Sequence, residues 1–480
     1  MSTSSPKWSR KSARRASGAR NAALAAVAAA FVAACSGGGG DAGIGLPPGQ
    51  GPINWGAVQT LATSANTATA PAATIDGNGL VSVLWSQIGM PLPGGGTSTV
   101  PLVGAADSSS GTTFGAAQAI EQSGSFSAGD QISDLMARAG TSNTAVWQRR
   151  LALNNNMQIG SAAREAVAWG TENIASRSVG TMVEGLTYAV NGAGTRVAVW
   201  TEMDVTAGGT RRVQLSARTG TTGWAPQVAI SGATEDASEP AVAVDANGLA
   251  MIVWRQGQNG IIKSVSFDTA SSSPLGIERQ VFTLQTGEGR SPRVLALGPN
   301  DFLVTWEQTA AGTVDLRATA GTTAGWINPP ASVDIGTGVV DQSRLVTGPG
   351  ATALAVWRQS NAIHFARYTA GSGIWSVARQ VNSGQTGTSR EPRVAVDGSG
   401  NAIFVWLQAP AGGGLDDLFY ATFTASNSAI SGAFQLDTET TGAVASPSLS
   451  VAANGAAVVA WLQSVGGQNN PNVVARFFRP

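Results

Sequence analysis

The chain of 480 residues has one cysteine, Cys35, and one histidine, His364. A catalytic triad or a zinc site built on a single imidazole is not expected. His364 reads instead as a residue packed between repeats or set at a rim. Charge is scarce, at 12% Asp, Glu, Lys and Arg, yet it recurs at two places around a repeated tryptophan. Entering the strand ahead of that tryptophan stand Glu239, Arg290, Arg293, Arg344, Arg390, Glu391 and Arg393. Just after it come Glu202, Arg255, Glu307 and Arg358, with Gln256, Gln308, Gln359, Gln408 and Gln463. A ring of such groups suits a polar or anionic ligand, because a guanidinium offers planar, bidentate contacts. Arg255, Arg293, Glu307, Arg358, Arg390 and Glu391 are therefore the candidate ligand-binding residues. The competing role for the same groups is pairing between neighbouring repeats, which would hold them in register. Glu202, Glu239, Glu307 and Glu391 could also supply the two carboxylates of a glycan hydrolase or lyase. An enzyme should break the repeat with a special acid in one unit. Only graded variation is visible, so binding without catalysis is the leading expectation, and no cofactor is implied.

These residues are positioned by a repeat. Apolar runs end in Trp85, Trp147, Trp200, Trp254, Trp306, Trp357, Trp406 and Trp461, at spacings of 49 to 62 residues. A period near 50 indicates an array, a solenoid or a propeller. Each unit reads as four strands. The first is exemplified by Pro240–Asp245 and Pro392–Asp397, and a tight turn follows, as in Asp76-Gly-Asn-Gly79, Asp245-Ala-Asn-Gly248 and Asp397-Gly-Ser-Gly400. Such turns supply the positive φ that hairpins need, and they lack the ligand count of a calcium loop. The tryptophan strand is apolar on consecutive residues, as expected when both sheet faces are covered. Eight copies at one strand position argue for core and against a sugar-stacking surface. The outer strand often opens on an aromatic, as at Trp224 and Trp375, which are expected to be half exposed. The last unit has three strands before Pro480, and its missing fourth is found in Trp55–Leu61. A ring closed by the N-terminal strand explains this split, so the expected fold is an all-β propeller of eight four-stranded blades. The irregular first two units leave seven as the other count.

The N-terminus carries an address. Residues 1–34 hold six basic residues and no acid, and the apolar run Ala22–Ala34 is too short to span a bilayer. It ends in Val32-Ala33-Ala34-Cys35, which resembles a bacterial lipobox, and a glycine tether, Ser36-Gly37-Gly38-Gly39-Gly40, follows at once. The resemblance implies lipidation at Cys35 and removal of residues 1–34. The expected division is 1–34 signal peptide, 35–51 tether and 52–480 propeller. Loss of the leader takes the chain from 29 basic and 29 acidic residues to 23 and 29, a net charge of −6. No basic footprint points to nucleic acid. With Cys35 lipidated no thiol remains for a disulfide. Ser36 in place of an acidic residue leans towards the outer membrane, so the expected location is the cell envelope.

The segment Gly400-Asn401-Ala402-Ile403-Phe404-Val405-Trp406-Leu407-Gln408 resembles the repeat of uncharacterised secreted bacterial β-propeller lipoproteins, as does the Trp375–Val381 strand. The resemblance covers roughly residues 52–480 and implies the fold; it carries no agreed activity. The sialidase Asp-box, the Trp-Asp dipeptide and the kelch double glycine are missing. The reading that follows is a membrane-anchored binding or scaffold module for a partner protein or a cell-surface glycan.

Overall fold

The computed structural model describes residues 52–480, apart from 64–67, 111, 122–125, 141, 153–155, 165–167, 178–180, 205–207, 221–222, 284–286, 311, 439–441 and 467–469. The leader, Cys35 and the tether lie outside the described residues. The hairpin turns form as their chemistry dictates. Asp245 Oδ1 accepts the amides of Asn247 and Leu249, and Gly248 takes φ +85. Asp76 and Asp397 do the same in their turns, with Gly79 at φ +80 and Gly400 at φ +84. Asp245 Oδ2 also accepts the amide of Asn300 in the next blade, so one turn residue closes a hairpin and links two blades.

Eight antiparallel sheets result, one per repeat. Blade 4 shows the plan: Ala237–Val244, Leu249–Gln256, Ile261–Asp268 and Ser273–Gln280, paired in that order from the channel outwards. The inner strands of the other blades are Ala72–Ile75, Gln131–Ala139, Thr181–Val190, Gly289–Gly298, Val340–Gly348, Thr388–Val396 and Val444–Val451. Each touches the next, and the last returns to the first, so the ring is closed. In blades 5 to 7 the outer edge is split in two, as at Ile374–Trp375 and Arg379–Gln380.

The closing strand is Gln59–Ala62, paired with Asn472–Phe478 through Gln59↔Ala475 and Thr60↔Val474. Trp55 precedes the ladder as a buried wedge. It meets Tyr420 of blade 7 edge-on at 5.7 Å and Phe478 of blade 8 at 6.1 Å. The Gly56 amide donates to the Phe477 carbonyl at 2.8 Å, and Arg476 Nε donates to the Gly56 carbonyl at 2.8 Å. Blade 8 reaches blade 1 separately, where Ser448 Oγ accepts the Ala73 amide at 2.9 Å.

The core lies between blades. All eight repeat tryptophans are buried, seven of them at 0% exposure and Trp147 at 2%. A buried indole N–H needs an acceptor. In six blades it is the glutamine two residues on, which shares the tryptophan's face of the strand: Trp85–Gln87, Trp254–Gln256, Trp306–Gln308, Trp357–Gln359, Trp406–Gln408 and Trp461–Gln463, at 2.6 to 3.2 Å. Removing one such indole would cost about 3–5 kcal/mol. The outer tryptophans are half-buried and reach back one blade. Trp224 Nε1 donates to Ser161 Oγ, and Trp326 Nε1 to Ser264 Oγ, both at 2.9 Å.

Candidate functional site

The inner strands are not regular. Seven of the eight carry a β-bulge with one residue at positive φ: Asp134, Gly185, Glu239, Ser291, Gln342, Glu391 and Ser446, between +50 and +62. For the six that are not glycine this backbone costs roughly 1–2 kcal/mol each. The bulge turns a side chain towards the neighbouring blade's bulge. Glu239 Oε2 accepts the Ser291 amide, Gln342 Oε1 accepts the Glu391 amide at 2.6 Å, and Asp134 accepts the Leu186 amide. These contacts tie blade 2 to blade 3, blade 4 to blade 5 and blade 6 to blade 7 at the channel mouth.

Around this mouth the entering end of the inner strand does lie beside the leaving end of the tryptophan strand, as in Ser238↔Arg255 and Asp341↔Arg358. Most of the charged groups gathered there already have partners. Arg255 pairs with Glu288, Arg358 with Asp341, and Arg390 with Asp416. Glu307 is buried. It accepts Arg290 at 3.2 Å and also the amide and hydroxyl of Ser343 in blade 6, at 3.1 and 2.9 Å. Glu202 accepts its own Trp200 indole at 3.2 Å. Glu391 lies 3.6 Å from Arg393. The glutamines of the expected ring are buried as indole acceptors. Their amide nitrogens bind loop carbonyls, as Gln408 does to Thr386 at 3.0 Å. His364 stacks on Trp357 at 6.1 Å, and burial holds its pKa below the ordinary histidine value.

Beyond the bulge the picture changes. Two residues after it, three consecutive blades carry Arg293, Arg344 and Arg393, where the others carry Met136, Thr187, Ala241 and Ser448. Arg138 extends from blade 2, which faces blade 6 across the ring of eight. Two cavities of about 710 and 600 Å³ fill the channel, and both are lined by Arg138, Arg344 and Arg393. Each of Arg293, Arg344 and Arg393 donates through Nη1 to the carbonyl just before it, at 3.1 to 3.2 Å, and Arg138 does the same at 3.0 Å. Neither Arg293 nor Arg344 is in an ion pair among the described residues.

The electrostatics carry the imprint of this crowding. Desolvation, then the charge of Arg344, pushes Arg293 and Arg393 down to about 10. Arg344 and Arg138 are lowered for the same first reason, and Arg344 adds to the effect on Arg138 from the opposite wall. Glu307 and Glu239 offset part of the repulsion at Arg293. All four guanidiniums remain cationic at neutral pH. They are half-buried or exposed.

Blade 2 departs from the repeat. Its tryptophan is followed by Gln148-Arg149, so an arginine occupies the acceptor position. Trp147 Nε1 instead donates to Glu121 Oε1 at 2.7 Å, and the same carboxylate pairs with Arg149. Asp130 lies 3.4 Å from Arg149, and Phe126 lies under its guanidinium at 3.9 Å. Burial pushes the Asp130 carboxyl up, but the Ala152 amide, Ser127 and Arg149 together hold it below the ordinary value. The Arg149 side chain is 1% exposed, so the guanidinium itself is closed to a ligand. Aligning the two residues after each tryptophan would have exposed it; the sequence reading did not single it out. Among the described residues no group of three or more His, Cys, Asp or Glu side chains could hold a metal ion.

No protein-family model matches the chain, and no curated protein matches it. Solved structures do resemble it. The Dos1 propeller aligns with a TM-score of 0.51 at 10% identity, over 89% of this chain and 95% of that one. The BP39L lectin from Burkholderia pseudomallei aligns with a TM-score of 0.45 at 12% identity, over 80% of this chain and 99% of that one. A protein of unknown function from Dyadobacter fermentans gives a TM-score of 0.41 at 10% identity, over 88% and 99%. At these identities the likeness is one of fold.

Proposed function

We propose that the protein is a lipid-anchored propeller of the bacterial cell envelope that binds, through its channel, an acidic group on a partner protein or a cell-surface glycan. The lipobox-like Val32-Ala33-Ala34-Cys35 and its glycine tether support the anchor. One observation carries the binding reading: Arg293, Arg344 and Arg393 enter one channel from three consecutive blades, and two of them have no ion-pair partner among the described residues. The rim arginines are paired, as Arg358 is with Asp341 of its own blade; Arg293 and Arg344 have no such partner among the described residues. The hydrolase or lyase reading is less well supported, because Glu202, Glu239, Glu307 and Glu391 each accept a hydrogen bond or pair with an arginine.

The test joins localisation to binding. Cys35→Ser should move the protein from the detergent phase to the soluble fraction and abolish incorporation of labelled fatty acid. On an array of acidic and neutral glycans, beside capture of acidic envelope proteins, the wild type should retain acidic ligands only. The triple variant Arg293→Gln, Arg344→Gln, Arg393→Gln should retain none. Equal retention by the variant would refute the channel reading.

A further inference from the structure

Four cations in one channel are only partly offset by the acids described around them. Glu391 stands 3.6 Å from Arg393, and Glu239 and Glu307 act on Arg293 from further off while bonded elsewhere. Arg344 is in no ion pair among the described residues, with Glu307 and Glu391 acting on it only from further off, and it depresses the pKa of three other arginines. Like charges held together in a partly desolvated site oppose folding unless something offsets them. Natural chains offset such clusters with acids, as this one does around Arg149. Here the equivalent positions of the other bulged blades are Met136, Thr187, Ala241 and Ser448, so only Glu239, Glu307 and Glu391 contribute.

The directions of approach restrict the ligand. Arg293, Arg344 and Arg393 descend from adjacent blades on one side. Arg138 comes from the facing side and lies two residues further along its inner strand, a step of roughly 6–7 Å at the usual rise per residue. A carboxylate has two oxygens in one plane and suits one bidentate fork. It would leave most of the cluster uncompensated. A tetrahedral oxyanion presents three or four oxygens in diverging directions and can carry two negative charges. That geometry meets guanidiniums from several walls at once, and Arg, with its planar fork, is the side chain suited to it.

We propose that the channel layer formed by Arg138, Arg293, Arg344 and Arg393 is a binding site for a dianionic tetrahedral oxyanion, a phosphoryl or sulfuryl group, either free or as an ester on a larger ligand. The inference rests on the reading that the channel is the binding region, and narrows it to one ligand chemistry.

The probes are inorganic phosphate, inorganic sulfate, acetate and a sulfated dextran, each against sodium chloride at matched ionic strength. The full chain is followed by thermal denaturation and by titration calorimetry. Phosphate and sulfate should raise the midpoint where chloride and acetate do not. Arg344→Gln should weaken phosphate at least tenfold, whereas Arg358→Gln, at the paired rim, should change it less than twofold. Without ligand, Arg344→Gln should melt close to the wild type, because the repulsion relieved at Arg138, Arg293 and Arg393 is set against the attraction lost to Glu307 and Glu391. A dextran sulfate response that depends on Arg344 and competes with phosphate would assign the group to an ester; a response to the inorganic ions alone would assign it to the free ion. If phosphate and sulfate shift the midpoint no more than chloride does, the inference is overturned. If only carboxylate ligands bind in an Arg344-dependent way, the oxyanion inference falls and channel binding stands. If Arg344→Gln melts well below the wild type and phosphate affinity is unchanged, the cluster is structural and both fall.

Discussion

Asp437 should make the protein less stable at neutral pH than it would be with a neutral side chain there. It follows the split outer edge of blade 7, and its Oδ1 accepts the Leu418 amide at 2.9 Å. The side chain is buried, and Oδ2 has no hydrogen-bond partner among the described residues. Burial, with Asp417 nearby, pushes the carboxyl from 3.8 up to about 6. Between those two values the folded chain holds a proton that the unfolded chain has released. Stability contributed by this site is therefore greatest below about pH 4, falls as pH rises towards 6, and is lost above it. At about 1.4 kcal/mol per pH unit, the rise from 3.8 to about 6 corresponds to about 3 kcal/mol at pH 7. The repeat offers its own comparison. In blade 6 the same role belongs to Asn382, whose Oδ1 accepts the Ile363 amide at 3.0 Å and whose Nδ2 donates to Ser389 at 2.7 Å. Asp437→Asn keeps the acceptor for Leu418. Its new N–H₂ would face Val444, which stands where Ser389 does, pairing with Gln463 as Ser389 pairs with Gln408. An unsatisfied amide costs about 1–3 kcal/mol, so the net gain at pH 7 should be about 0–2 kcal/mol. Urea denaturation of both proteins at pH 4.5, 5.5 and 7 reads it directly. The variant should gain on the wild type as pH rises. A variant weaker than the wild type at pH 7, or a difference that does not change with pH, would refute the reasoning.

Two further outcomes follow from the packing. Arg149→Ala should cost about 3–5 kcal/mol in chemical denaturation, because it leaves Glu121 and Asp130 buried without their cation; a loss below about 1 kcal/mol would mean the network is solvated. Deleting residues 52–62 should bare the edge of Asn472–Phe478 and the apolar surface under Trp55. Exposed edges pair with other chains, so light scattering should show aggregation; a monodisperse truncated protein would contradict closure at this strand.

The architecture was legible because its signals are local. An apolar strand ending in tryptophan, a glycine turn and a polar residue two positions on recur in nearly every unit, and the truncated last repeat pointed to Trp55–Leu61. The structure moves the paired segment to Gln59–Ala62 and gives Trp55 a packing role, a difference that alternation over seven residues could not resolve. The site was legible only as a crowd of charge. Arg290 and Arg293, or Arg390 and Arg393, stand three residues apart and look equivalent in sequence. Between them lies a bulge, which breaks the alternation by which facing is counted. One of each pair meets an acid, Glu307 or Asp416, and the other lines the channel. Arg138 escaped notice because its unit is irregular, and its importance comes from an opposite wall that only closure creates.

Closure by Gln59–Ala62 also decides where the chain can be cut and rejoined. The first and last strands of the propeller meet in one blade, with Gly56 bonded to Phe477, so a short linker could join them and the ring could be opened instead in a loop between blades. Such a circular permutant would keep all eight sheets, but its new gap would fall between blades, where neighbours share no strand ladder and are joined by side-chain packing and scattered hydrogen bonds such as that from the Gly398 amide to the Ala453 carbonyl. In the native order the first strand made waits for the last, and the ring is fastened by a backbone ladder inside blade 8. The position of the termini thus acts as a clasp, and its cost is that the circle cannot be completed until synthesis has reached Asn472–Phe478.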